Sequence, residues 1–245
     1  MENLNREPQK IKPLSVGEHK GLAVQLPKNY LFAKNINSVP LTITEFGRAS
    51  TCYPIVFTQS AFGLTPIALL GLQSADNLCV DAEGTWTEEY VPAFLRRYPF
   101  VVGRDTDGLK VCIDEGWEGF NWAGRGELLF DSEGATTSYL KDVVAFLTEY
   151  QKQTDITRKI MDRLNELDIF EEGHIDYTSH GIGSNRILGV YTIKREELLK
   201  LDADVLHSLN SAHLLEYCFN HIHSLATLEK LLSRLRNSET VSIIE

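Results

Sequence analysis

The chain has 245 residues, enough for one large domain or one domain with two lobes. Hydrophobic residues make up 43% of it and charged residues 24%, an ordinary globular composition that excludes a disordered chain. The formal net charge of −10 argues against nucleic acid as a partner, because an acidic protein repels a phosphate backbone.

The sequence predicts a cytoplasmic protein. Residues 1–13 are polar and lack the apolar run of a secretory signal, and no apolar stretch is long enough to predict membrane insertion. The cysteines are scattered and form no C-x-x-C pair, so neither a zinc knuckle nor a redox pair is indicated. We predict reduced, buried thiols. The cysteines are Cys52, Cys79, Cys112 and Cys218.

The first part of the chain has β signals. Residues 1–40 are predicted to form an irregular N-terminal arm, and residues 41–245 a single domain that begins with a β-rich lobe at 41–115. Strands are predicted at residues 53–58, 66–72, 78–80 and 109–113, where short apolar runs lie between turn residues. Between them, residues 88–98 predict a short helix that Pro99 ends.

The second part of the chain has helical signals. After an aromatic, glycine-rich loop at residues 116–126, a helical lobe is predicted over 127–245. Its apolar residues predict one long helix or two in series over 140–167, a β-hairpin from 174–177 and 187–192, and a helical tail over 195–236. The fold class is therefore α+β: a β-rich N-terminal part with a short helix, packed on a mainly helical C-terminal part that contains one β-hairpin.

Ordered sequence blocks resemble the SapC family from about residue 45 to residue 231. The similarity begins at Glu45-Phe46-x-x-Ala49 and Tyr53-Pro54-Ile55-Val56-Phe57. It is strongest at Trp86-x-x-x-Tyr90-Val91-Pro92-Ala93-x-Leu95-Arg96-Arg97-Tyr98-Pro99-Phe100, and it ends at His221-Ile222-x-Ser224-Leu225. The resemblance implies a bacterial pathway and no particular chemistry. The family takes its name from a surface-layer (S-layer) gene locus, and its genes lie beside those of outer-membrane receptors, cupin-like proteins and halogenase-like proteins.

Arg96 and Arg97 are adjacent in an acidic protein and are flanked by Trp86, Tyr90 and Tyr98. Guanidinium groups with aromatic neighbours suit carboxylate or phosphate recognition. The alternative is internal pairing of the arginines with acidic residues that would join the helix to the sheet. On a helix, neighbouring residues point about 100° apart, so we expect one arginine to face inward and one outward. The acidic candidates are Glu45, Asp81, Asp114 and Glu115.

The aromatic loop carries Trp117, Phe120 and Trp122 among glycines. A short loop cannot bury three such rings by itself. Either it folds back over the body of the protein, or it offers aromatic anchors to a partner. The sequence leaves both possibilities open.

His174 and Asp176 form a His-x-Asp pair that, with His221, would give the two imidazoles and one carboxylate of non-haem iron oxygenases. That chemistry usually lies in a barrel of many strands, whereas the chain after Arg195 reads as helix. The alternatives are an exposed strand for the pair and a hydrogen-bonded, partly buried imidazole for His221.

No catalytic constellation stands out, so the leading hypothesis is a non-catalytic binding or accessory protein of an envelope- or uptake-related pathway, with no cofactor. Its partner is expected to be a protein or a small anionic ligand, and its oligomeric state is left open. The rival hypothesis is a metal-dependent, non-haem iron oxygenase or a modifying enzyme that acts with the halogenase-like proteins. The candidate surface comprises Trp86, Tyr90, Arg96, Arg97, Tyr98, Trp117 and Trp122.

Overall fold

The computed structural model describes residues 10–105, 108–179 and 183–241. Within these ranges the chain contains both strands and helices, which confirms the α+β class. The strands are β1 (Ile11–Pro13), β2 (Ala23–Val24), β3 (Ser38–Pro40), β4 (Ile55–Ser60), β5 (Gly63–Leu69), β6 (Phe100–Asp105), β7 (Gly108–Asp114), β8 (Phe120–Asn121), β9 (Glu127–Leu128), β10 (Phe170–Ser179) and β11 (Gly183–Ile193). The α-helices are α1 (Val16–His19), α2 (Phe46–Ala49), α3 (Ala93–Arg96), α4 (Ser138–Asn165), α5 (Arg195–Lys200), α6 (Ala203–Ser211), α7 (Leu214–Ser224) and α8 (Leu228–Val241).

The strands form three antiparallel sheets. The largest has five strands in the order β10-β11-β4-β5-β3, and two three-stranded sheets have the orders β1-β7-β6 and β8-β2-β9. The hairpin of β10 and β11 therefore extends the sheet begun by β3, β4 and β5, so strands from both predicted lobes share one sheet. Segments of the predicted N-terminal arm supply β1, β2 and β3, one strand to each sheet.

Helix α7 joins β4 to β11 where their direct pairing ends. The two strands pair at Val190 with Thr58 and at Tyr191 with Phe57. Two residues further along each strand, the imidazole of His221 lies between Ile193 and Ile55. Its Nε2 accepts from the Ile193 N–H at 3.0 Å, and its Nδ1 donates to the Ile55 carbonyl at 2.9 Å. A side chain thus replaces a backbone hydrogen bond in the sheet.

Helix α4 is one helix of 28 residues, where the sequence left one or two open. It begins after Thr137, whose hydroxyl accepts the Leu140 N–H at 3.2 Å, as an N-cap side chain does. Its apolar face contributes to two cores. Leu140 and Leu147 pack into what we call the second core, with Phe100 and Ile113, whereas Met161 and Leu164 pack into the larger first core. A third core packs α8 on the outer face of the five-stranded sheet, with Val56, Val190, Leu231 and Leu235.

The structure confirms several predicted elements and corrects two. The strands predicted at residues 53–58, 66–72 and 109–113 correspond to β4, β5 and β7, and the predicted hairpin to β10 and β11. The strand predicted at 78–80 is wrong, because Val80 makes only an isolated bridge to Trp86. The helix predicted over 88–98 is too long, because α3 begins only after Pro92.

The four cysteines are buried and unoxidised, as the sequence predicted. Burial raises the pKa of Cys79 and of Cys218 to about 12, so both thiols stay protonated at neutral pH.

Among the helices of the described ranges, none combines the length and the apolar character needed to cross a membrane.

Candidate functional site

The segment that carries the two arginines is anchored to a buried carboxylate. Glu45 Oε1 accepts from the Ala93 N–H at 2.7 Å and from the Tyr90 hydroxyl at 2.8 Å. Its Oε2 accepts from the backbone N–H and the hydroxyl of Thr42, at 2.8 and 2.9 Å. Burial, followed by the Glu45 carboxylate, raises the pKa of Tyr90 to about 12. The carboxylate of Glu45 therefore fixes the start of α3 and the ring of Tyr90.

Arg96 is exposed and lies between two aromatic rings. Its guanidinium carbon is 5.9 Å from the ring centre of Tyr90 and 5.4 Å from that of Phe146, within the range of a cation–π interaction. Its Nε donates to the Val91 carbonyl at 3.1 Å. The Nε side of the guanidinium is thus held by its own segment.

Arg97 is half-buried and has the same arrangement. Its guanidinium carbon is 4.2 Å from the ring centre of Phe94 and 5.7 Å from that of Tyr150, and its Nε donates to the Phe94 carbonyl at 3.2 Å. Burial lowers the pKa of Arg97, and burial also raises the pKa of Tyr150, an effect that the nearby guanidinium opposes. As the sequence predicted, one arginine faces inward and its neighbour outward.

None of the four predicted carboxylates pairs with either arginine. Glu45 is occupied as described, Asp81 accepts the Thr85 N–H, Asp114 accepts the Gly116 N–H, and Glu115 pairs with Lys12 at 3.0 Å. Across residues 10–105, 108–179 and 183–241, neither arginine forms an ion pair with any carboxylate. The internal pairing that the sequence allowed is therefore absent from the described structure.

The ring partners on α4 were missed from the sequence. Phe146 and Tyr150 are four residues apart, so they lie on one face of α4, one opposite each arginine. Together with Tyr90 and Phe94 they give each guanidinium one ring from its own segment and one from α4. An aromatic pair spaced by four on a helix is a visible signal, but nothing local links it to residues fifty positions earlier. We call this set of two arginines and four rings the arginine cluster.

Trp86 lies in the first core and not at the surface. Its Nε1 donates to the Tyr53 hydroxyl at 2.9 Å and to the Tyr90 carbonyl at 3.1 Å. The Tyr53 hydroxyl also donates to the Tyr90 carbonyl, and burial raises the pKa of Tyr53. Trp86 therefore supports the arginine cluster from beneath.

Tyr98 and Trp117 form a separate aromatic group with Phe32. The ring of Tyr98 stacks on Phe32 at 4.4 Å and meets the edge of Trp117 at 5.5 Å. The Trp117 Nε1 donates to the Gln25 carbonyl at 2.8 Å, so this part of the aromatic loop folds back on the body. Trp122 differs, because 65% of its surface is exposed. The loop therefore folds back on the body at Trp117, whereas the ring of Trp122 is exposed.

The structure does not bring His221 to His174 and Asp176. His174 and Asp176 are exposed on β10, 3.3 Å apart, and Asp176 forms a two-bond pair with Arg186 at 2.6 and 2.9 Å. His221 is completely buried, and Ile193 uses the lone pair that would ligate a metal. Within the part of the chain that the structure describes, no three His, Cys, Asp or Glu side chains are arranged to hold a metal ion.

A groove of about 760 Å³ lies apart from the arginine cluster, between the distal part of the hairpin and α8. Its lining is mixed and polar, and its Arg186 and Asp176 already neutralise each other. It shares no residue with the candidate surface. The lining residues are Asp176, Tyr177, Thr178, Ser184, Asn185, Arg186, Leu232 and Arg236.

The fold and the site together define an α+β protein with a cluster of guanidinium groups and aromatic rings built from α3, α4 and the segment before α3. The sequence model of the SapC family matches residues 14–231, so the chain belongs to the SapC family. The match also takes in residues 14–44, which the resemblance seen in the sequence did not cover. No curated protein and no solved structure matches the chain.

Proposed function

We propose that the chain is a non-catalytic binding protein that holds an anionic group of a ligand or partner protein at the arginine cluster. The observation that carries this proposal is the half-buried guanidinium of Arg97, which has no carboxylate partner among the described residues. Withdrawing a charge from water costs free energy unless an opposite charge compensates it. An external anion would supply that compensation.

The aromatic rings explain how the arginines remain in place without such an anion. A ring face attracts a guanidinium by about 0.5–2 kcal/mol, less than a buried counter-ion would provide. Only the Nε of Arg97 has a hydrogen-bond partner among the described residues, so its terminal N–H groups remain for an acceptor. An arginine whose only role was to join α3 to α4 would not need terminal N–H groups that have no acceptor.

The cellular setting follows from two supports. Four buried, unoxidised cysteines suit a reducing compartment. The resemblance to the SapC family implies a surface-layer gene locus with neighbouring genes for outer-membrane receptors. We therefore place the binding function in the bacterial cytoplasm, in a pathway connected to envelope proteins or nutrient uptake.

Replacing Arg97 with alanine is expected to abolish capture of a bound species by the purified protein. Immobilised wild type and variant would be exposed to lysate, and the retained proteins and small molecules identified by mass spectrometry. Arg97→Lys keeps the charge but loses the two-pronged donor edge, so it should lose most of the capture as well. Trp122→Ala tests separately whether the exposed tryptophan contributes.

Arg195→Ala is the matched control. Arg195 is an exposed arginine that also lies over a ring, 6.0 Å from Phe219, but outside the cluster. It should capture the same species as wild type. If Arg97→Ala, folded by circular dichroism, retains them all, the cluster is not the binding surface.

Metal analysis of protein prepared without a histidine tag separates this proposal from the oxygenase hypothesis. The binding hypothesis expects no stoichiometric iron or zinc, because His221 is committed to the backbone. Near-stoichiometric metal that is lost in His174→Ala would favour an enzyme.

A further inference from the structure

We propose, on the basis of the anion-binding function above, that the ligand is a monoanion in which one carboxylate is attached to an apolar body. The carboxylate would bind the terminal nitrogens of Arg97, and the apolar body would lie on the partly exposed rings of the arginine cluster. Three observations support this proposal: the hydrogen bond from each Nε to the backbone, the aromatic rings beside the arginines, and the net negative charge of the chain.

The hydrogen bonds made by Nε determine which guanidinium nitrogens remain available to a ligand. In both arginines Nε donates to a backbone carbonyl of the same segment, that of Val91 or of Phe94. For Arg97 this is the only hydrogen bond among the described residues, so its two terminal nitrogens remain as a coplanar pair of donors. A planar carboxylate accepts two parallel N–H bonds from such a pair.

The two arginines lie over different rings of α4. Arg96 is exposed beside Phe146, whereas Arg97 is half-buried beside Tyr150. A single tetrahedral dianion such as phosphate gains most when several cations converge on it. Here each guanidinium offers a separate position, which favours a singly charged group at the more buried one.

The aromatic rings favour an apolar body beside the carboxylate. Tyr90, Phe94, Phe146 and Tyr150 are all partly buried, so none of these aromatic residues is fully withdrawn from solvent. Covering this apolar surface would contribute binding free energy that a small inorganic anion cannot obtain. A hydrocarbon or aryl group attached to the carboxylate would do so.

The net charge of the chain disfavours a polyanion. With 34 acidic and 24 basic residues, the protein repels approaching negative charge over distances up to about 10 Å at 0.1 M salt. This repulsion grows with the charge of the ligand. A ligand with one carboxylate is repelled least, whereas an acidic peptide or a cluster of phosphates is repelled much more strongly.

The test compares four small probes by isothermal titration calorimetry: phenylacetate, phenylacetamide, acetate and phenyl phosphate. Phenylacetate contains both proposed features, whereas phenylacetamide lacks the charge and acetate lacks the ring. Phenyl phosphate replaces the carboxylate with a dianion. We expect phenylacetate to bind at least tenfold more tightly than each of the other three.

Two variants assign the binding to the cluster. Arg97→Lys should weaken phenylacetate at least tenfold, because an ammonium group cannot form the paired bonds, and it should hardly change phenylacetamide. Phe146→Leu should weaken phenylacetate but leave acetate unchanged. Arg195→Ala should alter none of the four. Arg97→Lys is used here because it keeps the charge and most of the side-chain volume, so that a loss of binding is not caused by misfolding.

The outcomes separate the ligand class from the proposed function. If phenyl phosphate binds more tightly than phenylacetate and Arg97→Lys weakens it, the carboxylate assignment is overturned while anion binding at the cluster stands. If acetate equals phenylacetate, the apolar body is overturned alone. If no anion binds, or if Arg97→Lys leaves all binding unchanged, both the ligand class and the binding function at this cluster are wrong.

Discussion

The imidazole of His221 must be neutral to fill its place between β4 and β11. A backbone N–H can only donate and a backbone carbonyl can only accept, so Ile193 and Ile55 assign the proton to Nδ1 and the lone pair to Nε2. Ser224 completes the junction, because its hydroxyl accepts the Ile55 N–H at 2.9 Å. Burial lowers the pKa of His221 from 6.5 to about 4. The sequence predicted a hydrogen-bonded imidazole here, but not a sheet junction, because the strands it joins are distant along the chain.

This pKa makes the stability of the protein depend on pH in a defined window. The unfolded chain binds a proton at His221 below about pH 6.5, whereas the folded chain does not until about pH 4. The free energy of unfolding should therefore fall as the pH drops from 6.5 to about 4, by on the order of 3 kcal/mol from this residue. Urea unfolding at several pH values measures the change.

His221→Gln isolates the contribution of the imidazole from that of the carboxylates. The glutamine amide can donate to Ile55 and accept from Ile193, but it does not titrate. The variant should be less stable than wild type at pH 7, and the difference should shrink toward pH 4. Parallel pH profiles for the two proteins would show that His221 is not the titrating group.

Among the elements, α3 shows why the predicted helix over residues 88–98 was too long. Pro92 lacks an N–H, and the residue before a proline disfavours helical dihedrals, so Val91 cannot continue a helix into it. The Ala93 N–H is instead accepted by Glu45, which no local pattern announces. The long helix α4 and the β10–β11 hairpin were predictable because their periodicity is local.

Glu88, which lies just before α3 in the sequence, holds helix α8 in place. Its side chain is only 3% exposed, and its carboxylate lies 2.7 Å from Lys230 Nζ and 2.6 Å from Arg234 Nη2. Arg234 Nη2 and Glu88 Oε1 form an ion pair, but their geometry is not that of a hydrogen bond. Since both cations belong to α8, Glu88 fastens α8 beside the apolar contacts of the third core.

Glu88→Gln is expected to loosen α8. Removing one partner of a buried ion pair costs about 3–5 kcal/mol, and we expect about 2 kcal/mol here because half of the Lys230 side chain is already exposed. Hydrogen exchange should become faster at the amides of α8 than elsewhere. Glu89→Gln, at the exposed neighbouring position, should leave exchange unchanged. Equal acceleration in both variants would mean that the ion pairs do not hold the helix.

At the scale of the whole molecule, α4 connects the first and second cores. Leu147 lies in the second core and Leu164 in the first, on the same helix and without a break between them. The sequence predicted a buried face on this helix but not that it serves two cores, because the partners of that face come from all parts of the chain. A continuous helix shared by two cores should make them unfold together.

Native tryptophans can report on each core separately. Trp86 lies in the first core, Trp117 packs against the second, and Trp122 is exposed. Replacing two of the three with phenylalanine leaves a single reporter, and urea unfolding followed by its fluorescence can be compared with far-UV circular dichroism of the same variant. We expect the fluorescence and dichroism midpoints to coincide in both reporter proteins.

Leu147→Ala makes the test decisive, because it removes a completely buried side chain from the second core only. Such a truncation costs about 2–5 kcal/mol. If α4 couples the cores, the Trp86 transition must move to lower urea as far as the Trp117 transition does. If only the Trp117 midpoint moves, the second core unfolds by itself. The molecule would then consist of two independently folding lobes that share a helix.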